Sequence, residues 1–288
     1  MKKTVNHDDP SVLNEEFLEE YSREDSLRRY SKETAGNGIG YLLEHDYGEI
    51  YFGVIENQIP KVRRQKGIRL WEFGCGAGMN LIHLVSALER RGIPVQYAVG
   101  SDFSEALIDV AKQEAKKYLT AEQNQKVRFC VASHENLLEE TTKGLGVRKE
   151  DLVGSFDIML GVNTIRYCHR MKKETEVATT ISNLLADHGV CIVIDMNDKF
   201  PVFRSRLRDR LGKDERAYYL PSLEEYARPF SSAGLQILEH KNFCWIPHSA
   251  GTGLTTFMKA ITPLLNTVAP SRAMRSLVIS QKIGETRS

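Results

Sequence analysis

The sequence predicts an α/β protein built on a mainly parallel sheet covered by helices on both faces. Three observations carry that prediction. Between residues 68 and 232, short apolar runs alternate with helical stretches, the order that winds a parallel sheet. The runs at 96–102, 127–131, 155–163 and 189–195 each read as a strand in that order. The first run, at 70–73, feeds a turn that reads Gly-Cys-Gly-Ala-Gly at 74–78.

Residues 70–80 read Leu-Trp-Glu-Phe-Gly-Cys-Gly-Ala-Gly-Met-Asn. Gly74, Gly76 and Gly78 remove the Cβ atoms that would hold a ligand off the backbone. Leu81, Leu84, Val85 and Leu88 then recur at helical spacing, so the unit is strand, bare turn and helix N-terminus, a site for a polar or charged small molecule. A dinucleotide fingerprint would need glycine at position 79, which is Met79. Glu72 stands two places before the first glycine, where it would repel a pyrophosphate and attract an ammonium. The turn therefore favours a zwitterionic ligand.

Later elements follow in order. Residues 96–102 form a second strand ending in Asp102, with Phe103 after it and Ser104 as N-cap of the next helix. That helix puts Leu107, Val110, Ala111 and Ala115 on one stripe. A third strand spans 127–131, a fourth 155–163 and a fifth 189–195. Ser222 and Glu225 make a capping box for a helix ending at Gly234. Two further strands are expected at 235–245 and 273–282.

These residues resemble the class I S-adenosylmethionine (SAM) dependent methyltransferases, over roughly 66–247 with a return strand near 275–283. The resemblance implies a Rossmann-like, doubly wound, seven-stranded, mostly parallel sheet with an antiparallel C-terminal strand and an N-terminal helical cap. It implies SAM as cofactor and S-adenosylhomocysteine as product. Gly74, Cys75, Gly76 and Gly78 would cradle the cofactor, Glu72 its cationic end, Asp102 the ribose hydroxyls, and Phe103 the adenine face. After the third strand the family places an Asp against the adenine amine. Here the chain reads Ala132-Ser133-His134-Glu135, so Ser133 or a backbone carbonyl takes that contact, with His134 nearby.

The resemblance divides the chain into a cap at 1–60, lid-like and rich in tyrosine, and a methyltransferase domain at 61–288 with insertions at 199–220 and 248–272. Asn163, at the end of the fourth strand, would touch cofactor or orient acceptor; capping the next turn is the equal alternative. His169 is the nearest candidate base, with solvation or packing the commoner fate of such a histidine. Tyr30, Tyr41, Arg166 and Tyr167 are the candidate acceptor contacts. Arg204, Arg206, Arg208 and Arg210 read as a solvated face or an anion clamp. In the second insertion, Leu254, Phe257, Met258, Ile261, Leu264 and Leu265 keep helical spacing. They could cover a pocket, form a homodimer seam, or pack on the domain.

Composition sets the remaining bounds. The formal net charge is +1, so nothing points to a nucleic-acid partner. No apolar run is long enough for a membrane span, and the polar start argues against a secretory leader, so a cytoplasmic enzyme is expected. The five cysteines form no C-x-x-C pair and read as reduced, buried thiols; no metal site is expected. The sequence thus predicts methyl transfer to an oxygen or nitrogen of a small, partly apolar molecule. A protein or RNA acceptor, and a SAM-binding interaction protein without turnover, are the alternatives.

Overall fold

A computed structural model of the chain describes residues 46–59, 66–201, 220–246 and 251–284. Most of the cap, including Tyr30 and Tyr41, and the arginine run at 204–210 lie outside them.

Seven strands form one sheet in the order β3-β2-β1-β4-β5-β7-β6. They are β1 (Ile68–Phe73), β2 (Val95–Asp102), β3 (Val127–Val131), β4 (Phe156–Val162), β5 (Leu185–Met196), β6 (Leu235–Phe243) and β7 (Arg275–Lys282). The first five pair parallel, and β7 runs antiparallel to both of its neighbours. The expected architecture is the one observed. Strand order reverses between β1 and β4, and in open α/β sheets ligands bind at the carboxyl ends of the strands beside that reversal.

The pleat sorts side chains onto two faces. Ile68 and Leu70 of β1 join Ile158 and Leu160 of β4 in one core, under α1 (Asp46–Gln58) and α2 (Met79–Arg90). Trp71 and Phe73 point the other way, with Met159, Cys191 and Val193. That second core lies under α5 (Leu137–Leu145), α7 (Ile165–Arg170), α8 (Glu174–Leu184) and α9 (Leu223–Ser232). The helices between β2 and β3 are α3 (Glu105–Tyr118) and the short α4 (Ala121–Lys126), and α6 (Lys149–Leu152) precedes β4. Ser104 accepts the Leu107 N–H at the start of α3, and Ser222 with Glu225 closes the capping box of α9. All five cysteines are free and buried.

The second insertion differs from simple packing. Its helix, α10 (Thr252–Val268), buries only Thr255 fully. Leu254, Phe257 and Leu264 are exposed, while Met258, Ile261 and Leu265 are half-buried. No helix among the described residues is long and apolar enough to cross a membrane.

Candidate active site

The glycine turn leaves the end of β1 beside the strand-order reversal. Its three glycines all have positive φ, +65° at Gly74, +53° at Gly76 and +76° at Gly78, and they serve different purposes. A Cβ on Gly74 would collide with the Thr164 side chain after β4. One on Gly78 would press on Phe129 at 2.9 Å and Ala111 at 3.0 Å. One on Gly76 would meet nothing within 4 Å. Gly74 and Gly78 let neighbouring elements close in, whereas Gly76 turns a bare, open face outward. That face is the kind of cradle a ligand backbone contact needs.

Glu72 shares the α1–α2 face and is fully buried. Helix α2 begins after Gly78, which has no side chain to cap it. Glu72 supplies the cap from β1: one carboxyl oxygen accepts the Leu81 N–H at 3.0 Å, the other the Asn80 amide at 2.9 Å. Capping is thus observed, and it leaves lone pairs on both oxygens. Burial, reinforced by the nearby Asp102, pushes the carboxyl up to about 8, against the two hydrogen bonds that pull it down.

Asp102 ends β2 with both oxygens anchored. One accepts the Gly76 N–H at 2.9 Å and the other the Ser104 N–H at 2.9 Å. Each oxygen keeps acceptor capacity, and the first contact ties the carboxylate to the open glycine itself. Burial raises its pKa against those two bonds. Cys75 is buried between them, its N–H donating to the Ser101 carbonyl, and its thiol is pushed up by desolvation and by both carboxyls. Phe103 packs half-buried with Ala77, Leu107 and Met171.

On the far side, the Ser133 N–H donates to Glu140 at 2.6 Å and its hydroxyl accepts from the Asn136 N–H at 3.3 Å. His134 stacks edge-on against Phe73, with ring centroids 5.9 Å apart, and its Nε2 bonds the Thr164 hydroxyl. Burial pushes this imidazole down to about 4, so it is neutral near pH 7. It fastens the loop after β3 to the loop after β4 across the glycine turn.

The carboxyl ends of β4 and β5 and the amino end of the antiparallel β7 gather a buried polar group, in which sequence reasoning named Asn163, Arg166, Tyr167 and His169 but missed their partners Asp195, Arg275 and Tyr226. Asn163 adopts φ 56° and accepts from Arg275 at 2.7 Å, over 112 residues of sequence. Asp195, fully buried, bonds both the Arg166 backbone N–H and its guanidinium at 3.2 Å. Arg166 in turn donates to the Tyr167 hydroxyl at 2.8 Å. His169 is buried, its ring edge-on to Tyr226 of α9 at 5.7 Å. Its pKa is lowered by burial, the surrounding carboxylates opposing. A signal for Arg275 or Tyr226 was not available in the sequence, because neither lies in a motif and both contacts join distant segments.

A small cleft opens on the opposite face from His169. Gly48, Tyr51, Phe52 and Ile55 of α1, Asn80, His83 and Leu84 of α2, and Leu160 and Val162 of β4 line it. Asn80 joins this cleft to the Glu72 carboxyl.

A family model described as "Methyltransferase domain" matches residues 64–243. The chain belongs to the S-adenosylmethionine-dependent methyltransferases of class I. The match starts just before β1 and ends with β6, so it spans the turn, both carboxylates and the polar group apart from Arg275. Among curated proteins, a citrinin polyketide synthase from Monascus ruber is 27% identical over 135 residues. That match covers 46% of this chain and only 4% of the synthase, so the methyltransferase spans a small fraction of the relative's length. Among solved structures, a SAM-dependent methyltransferase from Mesorhizobium loti aligns with TM-score 0.51 at 15% identity, covering 80% of this chain and 96% of the other. Phosphoethanolamine N-methyltransferase 2 from Haemonchus contortus, in complex with SAM, aligns with TM-score 0.55 at 14% identity over 90% of this chain and 59% of its own. At such identities the likeness is one of fold.

Proposed function

We propose that this methyltransferase acts on an oxygen or nitrogen of a small molecule with an apolar body, and that it works chiefly by positioning. The observation that carries the proposal is the cleft between α1, α2 and the end of β4. Six of its nine lining residues are apolar or aromatic, with Asn80 and His83 as polar contacts; as it stands it has room for about one water, so its lining bears on the apolar character of the acceptor and not on its size.

On this reading Gly74, Cys75, Gly76 and Gly78 form the cofactor cradle, and Asp102 accepts the ribose hydroxyls with the lone pairs that Gly76 and Ser104 leave. Phe103 takes the adenine face, Ser133 and His134 its rim, and Glu72 the ammonium end next to Asn80. Bound SAM supplies an electrophilic methyl for in-line displacement. The protein's own residues hold the acceptor about 3 Å from that methyl and exclude water. Asn163 is fixed by Arg275 at the end of β4 and orients the acceptor there, with Arg166 and Tyr167 behind it.

A base is secondary. His169 has a neutral ring near pH 7, yet its contacts with Tyr226 and the α9 layer support packing. Proton acceptance would make His169→Ala lower kcat by about 100-fold or more. Packing lowers the melting temperature and leaves kcat within about tenfold, which is the expected result. The acceptor class is tested by incubating the enzyme with trideuteromethyl-labelled SAM and a panel of phenols, amines and peptides, reading products by mass spectrometry. Labelling of peptides alone would overturn the reading. The kinship with polyketide synthases supports a second reading, an acceptor of polyketide type, and such compounds belong in the panel.

A further inference from the structure

We propose that the bare stripe of α10 is the contact face of a homodimer, each copy laying the same stripe against the other. Helix α10 docks on its own domain through one row of residues, with Thr255 buried and Met258, Thr262 and Leu265 half-buried. Asn266 holds it from the same side by accepting the Trp245 indole N–H at 2.8 Å. The neighbouring row is left outside. It reads Leu254, Phe257, Ile261, Leu264 and Val268, a strict 3-4-3-4 spacing. Four of these five are exposed, at 48, 59, 62 and 65% for Leu254, Phe257, Leu264 and Val268. A row of large apolar side chains at heptad spacing is what a partner helix reads through knobs and holes, and a contiguous apolar strip in water marks an interaction site.

Charge decides between occupants. The helix carries one charged side chain in seventeen residues, Lys259. At 3.6 residues per turn it lies about 180° from the middle of the stripe. Gly253, Ala260 and Thr267 flank the outer edge of the row, small and uncharged. Amphipathic helices that lie on membranes present a face rich in Lys and Arg, which this one lacks. A charged partner would find nothing to pair with. A second copy needs no complementary charge, because a neutral apolar strip is complementary to itself, as a two-fold contact requires. A pair of helices about 25 Å long makes a contact at the small end of specific interfaces, so the dimer is reversible and dilution dissociates it.

The test is sedimentation velocity of the full chain over a concentration series, with Leu264→Glu and Phe257→Glu as variants. Both side chains are exposed, so the fold of the monomer, read by circular dichroism, and SAM affinity should hold while the dimer constant weakens on the order of 100-fold or more. A cross-linking test runs beside it. Ile261 is the middle of the row and meets its own copy whether the helices run parallel or antiparallel. All native thiols are buried, so Ile261→Cys should form an intermolecular disulfide on mild oxidation, while Lys259→Cys, on the opposite side, should not. The proposal is overturned by a wild-type chain that stays monomeric across the series or by a dimer that survives both glutamates. A monomer that floats with lipid vesicles, or one whose Ile261→Cys thiol resists a soluble reagent under its own N-terminal segment, would overturn it equally.

Discussion

Replacing Glu72 with glutamine tests the electrostatic centre of the site. The side chain is fully buried and caps α2 through Leu81 and Asn80. Glutamine keeps a carbonyl for the Leu81 N–H, and the Asn80 amide can turn to face the new donor, so the cap survives. What disappears is the titration. A pKa near 4.5 unfolded and about 8 folded corresponds to a cost of about 5 kcal/mol for the ionised form. The sign follows from the raised folded value: the stabilisation is complete below the unfolded pKa and is lost as pH rises through 8. One proton's linkage slopes at about 1.4 kcal/mol per pH unit, or roughly 3 °C per pH unit in a chain of this size. The clean window is pH 6.5 to 8. His134, lowered to about 4, and His169, lowered too, oppose Glu72 chiefly below about 6.5; they and the thiols, half-ionised near about pH 8.5 in the unfolded chain, titrate alike in both proteins, so the difference in slope reports Glu72. Thermal melts of the cofactor-free proteins should show wild type falling more steeply than Glu72→Gln by that amount. Saturating SAM should flatten the wild-type slope, because an ammonium beside the carboxyl draws its proton off. Calorimetry at pH 7 in buffers of different ionisation heat should then show release of up to about one proton by wild type and none by the variant. Parallel melting curves, or equal proton release from both proteins, would refute both the buried-acid reasoning and the ammonium role.

Other substitutions separate binding from folding. Asp102→Asn should weaken SAM at least about tenfold by calorimetry, and unchanged affinity would remove its ribose role. Gly76→Ala should cost only about 1–2 kcal/mol of stability for its left-handed backbone yet raise the SAM dissociation constant clearly, since the new methyl fills the open cradle. Gly74→Ala should instead depress the melting temperature further than Gly76→Ala, because its methyl meets Thr164; the reverse order would contradict the assigned roles. Arg166→Met strands the fully buried Asp195 and should cost about 3–5 kcal/mol, read by chemical denaturation.

The parts of this site that could be read from sequence are those made by contiguous residues. A run of three alternating glycines after an apolar strand declares its own geometry, since few residues other than glycine take positive φ without strain. Asp102 was legible as the acid ending the second strand, its ribose role following from the family resemblance, and the structure puts it at the carboxyl edge of the sheet beside the strand-order reversal. Glu72 was half legible: the sequence placed it, but its service as a remote cap for α2 depends on Gly78 having no side chain, a fact about two elements at once. Asn163 shows where reading stops. Its position at the end of β4 followed from the strand pattern, whereas its orientation is set by Arg275, which the chain reaches only after passing through β5, β6 and α10.

The same distinction explains the second insertion and makes α10 informative. Periodicity records which residues share a side of a helix, and Leu254, Phe257, Ile261 and Leu264 do. It does not record whether that side meets the chain's own core. The helix here turns a mixed row, Thr255, Met258, Thr262 and Leu265, towards its own domain, and carries beside it a row that is apolar throughout. Once Thr255, Met258 and Leu265 occupy the domain, helical geometry turns the other row outward. A helix serving its own fold alone would place polar residues there. The surplus row therefore bears on something other than the methyl-transfer fold, and the glutamate variants at positions 257 and 264 separate the two by changing assembly while leaving the glycine turn, Asp102 and SAM binding as they were.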